Sequence, residues 1–329
     1  MIHNDEFQQY LHSAAFLEPL GLDAVPELRP LGQGEYNVNY TFNHPDGRKL
    51  VLRINRGSQM HLNDQIGYEF SALKALEASG RTPRAIFCDS AHHCLVMEHL
   101  PGRPLRYETD LEIAAEIFAD IHALPVGDDL IEPENPLEAI LEECRQMVSH
   151  YYEWDSADPE VVRLLQTLES EISVKELTAP VELRKCMVNT EVNSGNFLIN
   201  PGGRSYLIDW EKPLISEPAQ DLGHFLVPTT TFWKTDVILT PEEIRHFVRC
   251  YQRAVNGRFE TQSLSKRLPL YFTVTCLRGV TWCAMAYREY CQPGRAINNP
   301  DTFQKLKAYL DPSFLRNLLE NYVRKDFLA

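Results

Sequence analysis

Three oxygen-bearing side chains near the middle of the chain, Glu191, Asn196 and Asp209, are spaced for metal binding and proton handling. They flank two short apolar runs joined by a turn rich in glycine, a pattern that predicts a β-hairpin. A hairpin would bring Asn196, just before the first run, close to Asp209, just after the second. Amide and carboxylate oxygens are hard ligands suited to Mg²⁺, and the Glu191 carboxylate can accept or orient a hydroxyl proton. The alternative is a loop of mutually bonded polar residues, and the order and spacing favour the site. The two runs are Phe197–Ile199 and Tyr206–Ile208.

A glycine-containing turn, Gly32-Gln33-Gly34, directly precedes an alternating run at 38–42 and a second apolar run at 49–54. The two runs, with a turn at 43–47 between them, predict a hairpin. Backbone N–H groups without a neighbouring Cβ can approach phosphate oxygens. Two glycines before a strand are more often only a turn, so Gly32 and Gly34 carry this interpretation only together with other motifs.

A cation on the second of these strands, Arg53, is a candidate ligand for the oxygens of a triphosphate. Glu69 lies on the following predicted helix and can orient the guanidinium through a bidentate pair. The alternative is a solvated surface arginine with an unrelated helical acid. Without further motifs the residue types alone favour that alternative.

The remaining pattern predicts a small region rich in strands followed by a larger helical region, with a linker near residues 98–103. A helix is expected from Met1 to about Leu20, and the C-terminal region is expected to be helical with breaks at its prolines. Further helices are predicted at 65–78, 111–124, 137–152 and 161–172, strands at 85–88 and 94–98, and proline breaks at Pro228, Pro241, Pro269 and Pro293.

Composition bounds the class of protein. The 329 residues are 44% hydrophobic, and the net charge of −14 argues against a nucleic-acid partner. No apolar run is long enough for a membrane helix, and the first residues lack a secretory pattern. The eight cysteines are scattered without zinc-like spacing. These features predict a cytoplasmic protein without membrane or nucleic-acid partners, and they leave monomer and homodimer open.

Taken in chain order, the motifs resemble the aminoglycoside phosphotransferase and choline kinase-like family. The catalytic loop of that family resembles Asn189–Leu198, and its metal motif resembles Ile208–Glu211. Matches in the same order along so much of the chain are more specific than any one of them. The other similar segments are Gly32–Asn37, Val51–Arg53, Leu95–Gly102, Ile121–Pro125 and Glu217–Gly223.

The resemblance implies an α+β, bilobal protein-kinase-like fold, with a small antiparallel-sheet N-lobe at 1–98 and a larger, mostly helical C-lobe at 99–329. It implies transfer of phosphate from ATP or GTP to a hydroxyl of a small molecule such as an amino alcohol, an aminoglycoside or a sugar. Asp221 would brace the catalytic loop. The implied nucleotide-binding residues are Gly32, Gly34 and Arg53 for the phosphates, with Glu69 orienting Arg53, and the backbone of Glu98 and Leu100 for the nucleobase. The implied Mg²⁺ ligands are Asn196 and Asp209.

Two departures affect catalysis. Glu191 stands where the family has its catalytic aspartate, and Asn189 stands where it has a histidine. A glutamate keeps the carboxylate but is one methylene longer. In a loose transition state this group mainly orients the hydroxyl, so Glu191 can serve. A nucleotide-binding pseudokinase with little or no transfer is the alternative.

Aromatic residues in the C-terminal third are candidates for the acceptor site. Aromatic faces near acids can hold a protonated or quaternary amine. Trp282 and Tyr287 lie on a predicted helix at 271–290, which can equally be a core helix. Trp233 belongs to a segment, 229–234, that could rim the acceptor site or simply connect two helices.

Overall fold

The computed structural model describes residues 5–34, 36–58, 60–127, 129–173, 177, 183–292 and 299–325. The chain divides into two compact units. The first unit comprises Met1–Pro104, Leu124–Ile131 and Asn196–Pro213; the second comprises Leu105–Ala123, Glu132–Gly195 and Leu214–Ala329. The predicted lobe boundary between residues 98 and 99 stays a prediction.

The first unit is built on a five-stranded antiparallel sheet of order β1-β2-β3-β5-β4. Tyr40 and Phe42, on the alternating strand, pack with Leu50 and Leu52 of the next strand into a buried core. The predicted hairpin is therefore confirmed. The strands are β1 (Arg29–Gln33), β2 (Asn37–Asn43), β3 (Lys49–Asn55), β4 (Ala85–Asp89) and β5 (Cys94–Glu98), and the helices are α1 (Asp5–Leu11), α2 (Ala14–Leu20) and α3 (Gln65–Leu76), the last followed by a 3₁₀ turn at Glu77–Ser79.

A second hairpin of the first unit carries two of the candidate site residues at its ends. Its strands pair Phe197 with Leu207 and Leu198 with Tyr206, as the apolar runs predict. The backbone of Arg103 bridges to Ile199 at the end of the first strand, so the hairpin is tied to the segment after β5. These strands are β7 (Phe197–Leu198) and β8 (Tyr206–Leu207).

The second unit is mostly helical, and its described residues also form a short antiparallel pair of strands. Its central helix, α10, has a mainly buried surface and packs against α5, α6 and α7. The helices are α4 (Leu111–His122), α5 (Pro136–Tyr152), α6 (Pro159–Ser173), α7 (Pro218–Leu226), α8 (Pro228–Lys234), α9 (Pro241–Val255), α10 (Leu264–Tyr290), α11 (Pro300–Tyr309) and α12 (Pro312–Leu318), and the strands are β6 (Cys186–Val188) and β9 (Leu214–Ser216).

The structure corrects two helix predictions. The N-terminal segment forms two helices, because the backbone at Ser13 is extended, with a ψ of 155°. The Ser13 hydroxyl donates to the carbonyl of Tyr10 at 2.6 Å. Pro269 does not break its helix but lies inside α10. A proline inside a helix costs about 3 kcal/mol of stability, because its backbone nitrogen cannot donate a hydrogen bond and its ring clashes with the preceding turn. Burial of apolar side chains in the next turn, including Tyr271 and Phe272, offsets this cost.

The other proline predictions mostly hold. Pro228 and Pro241 each open a helix, where the missing N–H is not needed, and Pro293 lies outside the described residues. Within the described ranges, no helix combines the length and apolar character that a membrane span requires.

Candidate active site

A cavity of about 410 Å³ lies in the first unit, beside the sheet. Its walls are mainly aliphatic, and its polar lining residues include the Arg53–Asp209 ion pair as well as Asn39, Glu98 and His99. A mostly apolar cavity with a few polar groups that can fix orientation is typical of a small-molecule site. The aliphatic walls come from Leu31, Val51, Met97, Leu198 and Ile208.

The chain segment after β5 forms one edge of this cavity. Glu98 still pairs with the sheet, its N–H donating to the carbonyl of Arg84 at 2.9 Å, and the N–H of His99 donates to Lys49 at 3.1 Å. Glu98 and Leu100 both line the cavity. The backbone groups assigned to nucleobase binding thus lie on a segment held by the sheet.

Gly102 permits the close approach of this segment to β7. Its φ is 144°, and a Cβ there would lie 2.7 Å from the Cβ of Leu198. That distance is shorter than side chains tolerate, so the position requires glycine. Leu198 forms one wall of the cavity, which means that Gly102 fixes the cavity width at this wall.

The turn that contains Gly32 and Gly34, unlike the segment at Gly102, is not closely packed. Gly32 pairs with Asn39 next to a bulge in β1, and the N–H of Gly34 donates to the carbonyl of Asn37 at 2.8 Å. A Cβ on Gly32 would meet no protein atom within 4 Å. Protein packing therefore does not require a glycine at this position, and contact of Gly32 with a phosphate stays a prediction.

Arg53 is the centre of a buried polar cluster in the first unit. Its Nη1 donates to Glu69 Oε1 at 2.5 Å and to Asp209 Oδ1 at 3.2 Å. Its Nε donates to Asn39 Oδ1 at 3.1 Å, across the β2–β3 pair. Three acceptors thus fix the guanidinium, and the predicted partnership of Arg53 with Glu69 is present.

Burial and charge act in opposite directions on this pair. Burial alone lowers the pKa of Arg53, but the carboxylates of Glu69 and Asp209 outweigh it, and the pKa lies above its usual value. Burial raises the pKa of Glu69, and Arg53 offsets only part of that rise. The arginine is therefore a permanent cation in the lining of the cavity.

The β7–β8 hairpin sets the two predicted metal ligands. The N–H of Ile208 donates to the carbonyl of Asn196 at 2.8 Å, so the residue before Asp209 is held to Asn196 directly. Asp209 has a φ of 66°, a left-handed conformation that is uncommon outside glycine. The next residue, Trp210, is fully buried and donates to Leu207 at 3.0 Å, which anchors the chain after Asp209.

A polar network around Glu211 was not predicted as part of the site. Glu211 accepts a hydrogen bond from the Asn37 side chain, and its carbonyl accepts from Gln65 Nε2 at 2.6 Å. Asn37 in turn accepts from Asn55 Nδ2 at 2.8 Å. The network connects the glycine loop, β3 and α3 to the residues after Asp209. The feature that could have indicated this network is the pair Asn37 and Asn55, which lie opposite each other on β2 and β3.

Glu191 lies on a loop of the second unit that Asp221 braces. The fully buried carboxylate of Asp221 accepts from the backbone N–H groups of Asn189, at 2.9 Å, and Thr190, at 3.1 Å. The side chain of Asn189 then accepts from the N–H of Glu191 at 3.1 Å. The predicted bracing role of Asp221 is confirmed by these bonds. Asn189, at the position of the family histidine, acts as a loop brace.

The brace extends into the helical core. His122 Nε2 lies 3.4 Å from Asp221 Oδ2, and its Nδ1 lies 2.9 Å from the hydroxyl of Tyr251. His122 is fully buried. Burial raises the pKa of Tyr251 well above its usual value, so its hydroxyl stays protonated. The position of the loop therefore depends on α4, α7 and α9 together.

The predicted acceptor aromatics fall into two groups in the second unit. Trp233 and Trp282 meet edge to face, with ring centres 5.2 Å apart, and Trp282 is 39% exposed. Tyr287 instead stacks on Phe303 at 5.5 Å. The segment that contains Trp233 is helix α8, which corrects its interpretation as a connector.

The antiparallel sheet of the first unit and the helices of the second have the protein-kinase-like fold, as predicted. Solved structures with this fold include a spectinomycin phosphotransferase, APH(9)-Ia, in complex with ADP and spectinomycin: TM-score 0.62, 16% identity, 95% of this chain and 98% of that chain covered. A choline/ethanolamine kinase family protein from Mesorhizobium loti has a TM-score of 0.57 and 19% identity, with 96% and 97% covered. Macrolide 2′-phosphotransferase MphH from Brachybacterium faecium has a TM-score of 0.58 and 14% identity, with 94% and 99% covered.

The class that these features define is the small-molecule kinases, enzymes that transfer a phosphoryl group to a hydroxyl. The family model described as "Phosphotransferase enzyme family" matches residues 27–258. The chain belongs to this phosphotransferase enzyme family, and the resemblance drawn from the sequence is confirmed.

Proposed function

We propose that the protein transfers the γ-phosphoryl group of ATP or GTP to a hydroxyl of a small, amine-bearing acceptor. The observation that supports this proposal best is the cavity of the first unit, whose lining combines aliphatic side chains with the Arg53–Asp209 ion pair. The nucleobase would lie between the aliphatic walls and bond to the backbone of Glu98 and Leu100. The phosphates would lie against Gly32, Gly34 and Arg53, with Glu69 orienting the arginine.

Asn196 and Asp209 fit a hard divalent cation. They offer an amide and a carboxylate oxygen, and one backbone bond holds Asn196 to the residue before Asp209. This is the donor chemistry that Mg²⁺ takes alongside phosphate oxygens. Bound there, Mg²⁺ would neutralise charge on the β- and γ-phosphates.

Glu191 is the proposed base. The acceptor oxygen attacks the γ-phosphorus, the bond from that phosphorus to the bridging oxygen breaks, and the nucleoside diphosphate leaves. The hydroxyl proton passes to the Glu191 carboxylate. Asp221 and Asn189 contribute by holding the loop backbone on both sides of Thr190.

The acceptor is proposed to be cationic. Trp282 is exposed beside Trp233, and an aromatic face of this kind attracts a protonated or quaternary amine. Two of the structural neighbours are described as a spectinomycin phosphotransferase and a choline/ethanolamine kinase family protein, which makes these compounds suitable first acceptors to test. Tyr287, which stacks on Phe303, is a weaker candidate for direct contact.

The decisive experiment is an acceptor screen with mass detection, run with ATP or GTP and Mg²⁺. Choline, ethanolamine, several aminoglycosides and several sugars form the panel. We expect one class to gain a phosphoryl group. Glu191→Gln should lower that turnover at least about 100-fold, the usual contribution of a general base, and Glu191→Asp should retain it.

The replacement of the family aspartate by Glu191 supports one alternative, a nucleotide-binding pseudokinase. It predicts Mg²⁺-dependent nucleotide binding by calorimetry together with no transfer to any acceptor. In that case Glu191→Asp should create activity that the parent lacks. Equal turnover of the parent and Glu191→Gln would instead reject Glu191 as the base.

A further inference from the structure

A cluster of three different metal-ligating side chains lies in the second unit on helices α4 and α9. Glu112 stands in the first turn of α4, and His246 and Cys250 stand four residues apart on α9. Cys250 Sγ lies 3.5 Å from His246 Nε2 and 3.8 Å from Glu112 Oε1. His246 Nε2 lies 3.5 Å from Glu112 Oε1. The three atoms therefore form a nearly equilateral triangle.

The triangle has the dimensions of one face of a tetrahedral zinc site. Zn–S, Zn–N and Zn–O bonds of their usual lengths give ligand-to-ligand distances of about 3.4 to 3.6 Å. The three observed distances match these within a few tenths of an ångström. Thiolate, imidazole and carboxylate are all ligands that Zn²⁺ takes.

We propose that Glu112, His246 and Cys250 form a Zn²⁺ site, separate from the nucleotide cavity. The site joins the start of α4 to the middle of α9. Its sulfur and imidazole ligands suit Zn²⁺ and not Mg²⁺, which prefers oxygen. The site thus differs in chemistry from the oxygen pair Asn196 and Asp209.

The helices hold the ligands in place before a metal binds. Residues i and i+4 of a helix lie on one face, so His246 and Cys250 need no rearrangement to share a metal. A capping box at Thr240 and Glu243 fixes the start of α9. The same two helices also meet in the core, where Phe118 and Phe247 contact edge to face at 6.3 Å.

The guanidinium of Arg253 contacts two of the three proposed ligands. Arg253 Nη2 is 3.1 Å from Cys250 Sγ and 3.8 Å from Glu112 Oε1. The Arg253 side chain is 71% exposed, so a metal can displace it at small cost. The arginine shows that the cluster attracts positive charge, and it competes with a metal for the same atoms.

The cluster lies beside open space. An open depression of about 520 Å³ adjoins the cluster. Water or a small anion can complete the coordination there. The lining residues are Glu112, His246, Arg249, Gln252 and Arg253.

Cobalt(II) is the probe for the first test, because tetrahedral cobalt bound to a thiolate gives a near-ultraviolet charge-transfer band that oxygen-only sites do not give. We expect the parent protein to show this band and Zn²⁺ to abolish it by competition. Cys250→Ser should remove the band, and Cys291→Ser, at an exposed cysteine, should keep it. A parent without the band, or a band that survives Cys250→Ser, overturns the proposal.

Affinity measurements by calorimetry with Zn²⁺ alone provide the second test. His246→Ala should weaken binding at least about 100-fold, more than the loss of an outer partner of a metal ligand. The imidazole is 44% exposed, so this variant should fold. Arg253→Gln should tighten binding roughly fivefold by removing an exposed competing charge. Unchanged affinity in His246→Ala, or weaker binding in Arg253→Gln, contradicts the assignment.

Discussion

Arg53 and Asp209 form an ion pair of 3.2 Å although 156 positions separate them in the chain. The proposed phosphate-binding cation and the proposed metal-binding carboxylate are thus in contact within the first unit. Glu69 binds the same Nη1 of Arg53. A change at any one of these three residues should therefore affect the other two.

Asp209→Asn should weaken binding of Mg²⁺–nucleotide by at least about tenfold, because it removes the charged metal ligand. Binding of nucleotide without Mg²⁺ should change far less. Calorimetry with and without Mg²⁺ separates the two effects. Asp46→Asn, at an exposed turn of the first unit, is the matched control. Equal Mg²⁺ dependence in Asp209→Asn and the parent would count against the metal assignment.

Glu69→Gln should destabilise the protein by roughly 2–4 kcal/mol, since it leaves a buried arginine with less compensating charge. It should also weaken nucleotide binding, because Arg53 loses its main orienting partner. Urea denaturation and nucleotide titration measure the two effects. Glu77→Gln removes an exposed carboxylate next to α3 and should do neither. If the Glu69→Gln protein were as stable as the Glu77→Gln protein, the Arg53–Glu69 ion pair would make no net contribution to the free energy of unfolding.

Gly102→Ala should narrow the nucleotide cavity and strain the chain. The left-handed φ and the contact with Leu198 predict a cost on the order of 1–3 kcal/mol. Thermal melting and nucleotide affinity should both fall. Gly203→Ala is the control, because a Cβ there meets its nearest atom at an ordinary 3.6 Å. Similar melting temperatures for the two variants would contradict the steric argument.

Asp221→Asn should lower kcat by roughly 10- to 100-fold through a displaced catalytic loop. The KM for nucleotide should stay near that of the parent, because Asp221 contacts the loop and not the nucleotide cavity. Steady-state kinetics separate the two constants. Asp120→Asn, at a partly exposed ion pair with Arg258, should leave both unchanged. A rise in the nucleotide KM as the main effect would contradict a bracing role.

Cys88 should be unreactive at neutral pH. Burial, with help from the nearby carboxylates of Asp64 and Asp89, raises its pKa from 9.0 to about 11. At pH 8 its thiolate fraction, and hence its alkylation rate, should be about 100-fold below that of the same cysteine in the urea-unfolded chain. Mass spectrometry of alkylated peptides measures both rates.

The same pKa shift links Cys88 to stability. The folded state holds the Cys88 thiol proton more tightly than the unfolded state does. The contribution of Cys88 to the free energy of unfolding is therefore fully present below about pH 9 and is lost as the pH rises towards 11. In Cys88→Ala, the free energy of unfolding should decrease less between about pH 9 and pH 11 than it does in the parent protein. A fall of the same size in the variant would assign it to other groups.

Local patterns predicted much of this fold. Alternation on β2, the apolar β3 and the Asn200–Gly203 turn each specify their hairpin within a few residues, and the structure forms all of them. Periodicity likewise located α4, α5 and α6. The helix break at Ser13 escaped prediction because the extended backbone there is not marked by a glycine or proline in the sequence.

Long-range polar contacts were harder to predict. The link between Asn37 and Glu211 spans 174 positions and has no spacing rule. Glu112 and Cys250 are 138 apart and became neighbours only once α4 packed against α9. By contrast, Arg53, Asn196 and Asp209 could be named because each sits in a short motif whose order along the chain is informative, and Glu69 could be named as an acid on the helix that follows Arg53.

The left-handed backbone at Asp209 has a consequence for protein engineering. Only glycine, asparagine and aspartate adopt this conformation readily, and of these only aspartate carries a charge. Both the backbone conformation and the need for a charged ligand therefore restrict position 209. Most variants in a random library at this position would be unfavourable. A search for new acceptors is better directed at Trp282, which is exposed and lies on an ordinary helix, where the backbone conformation itself excludes few side chains.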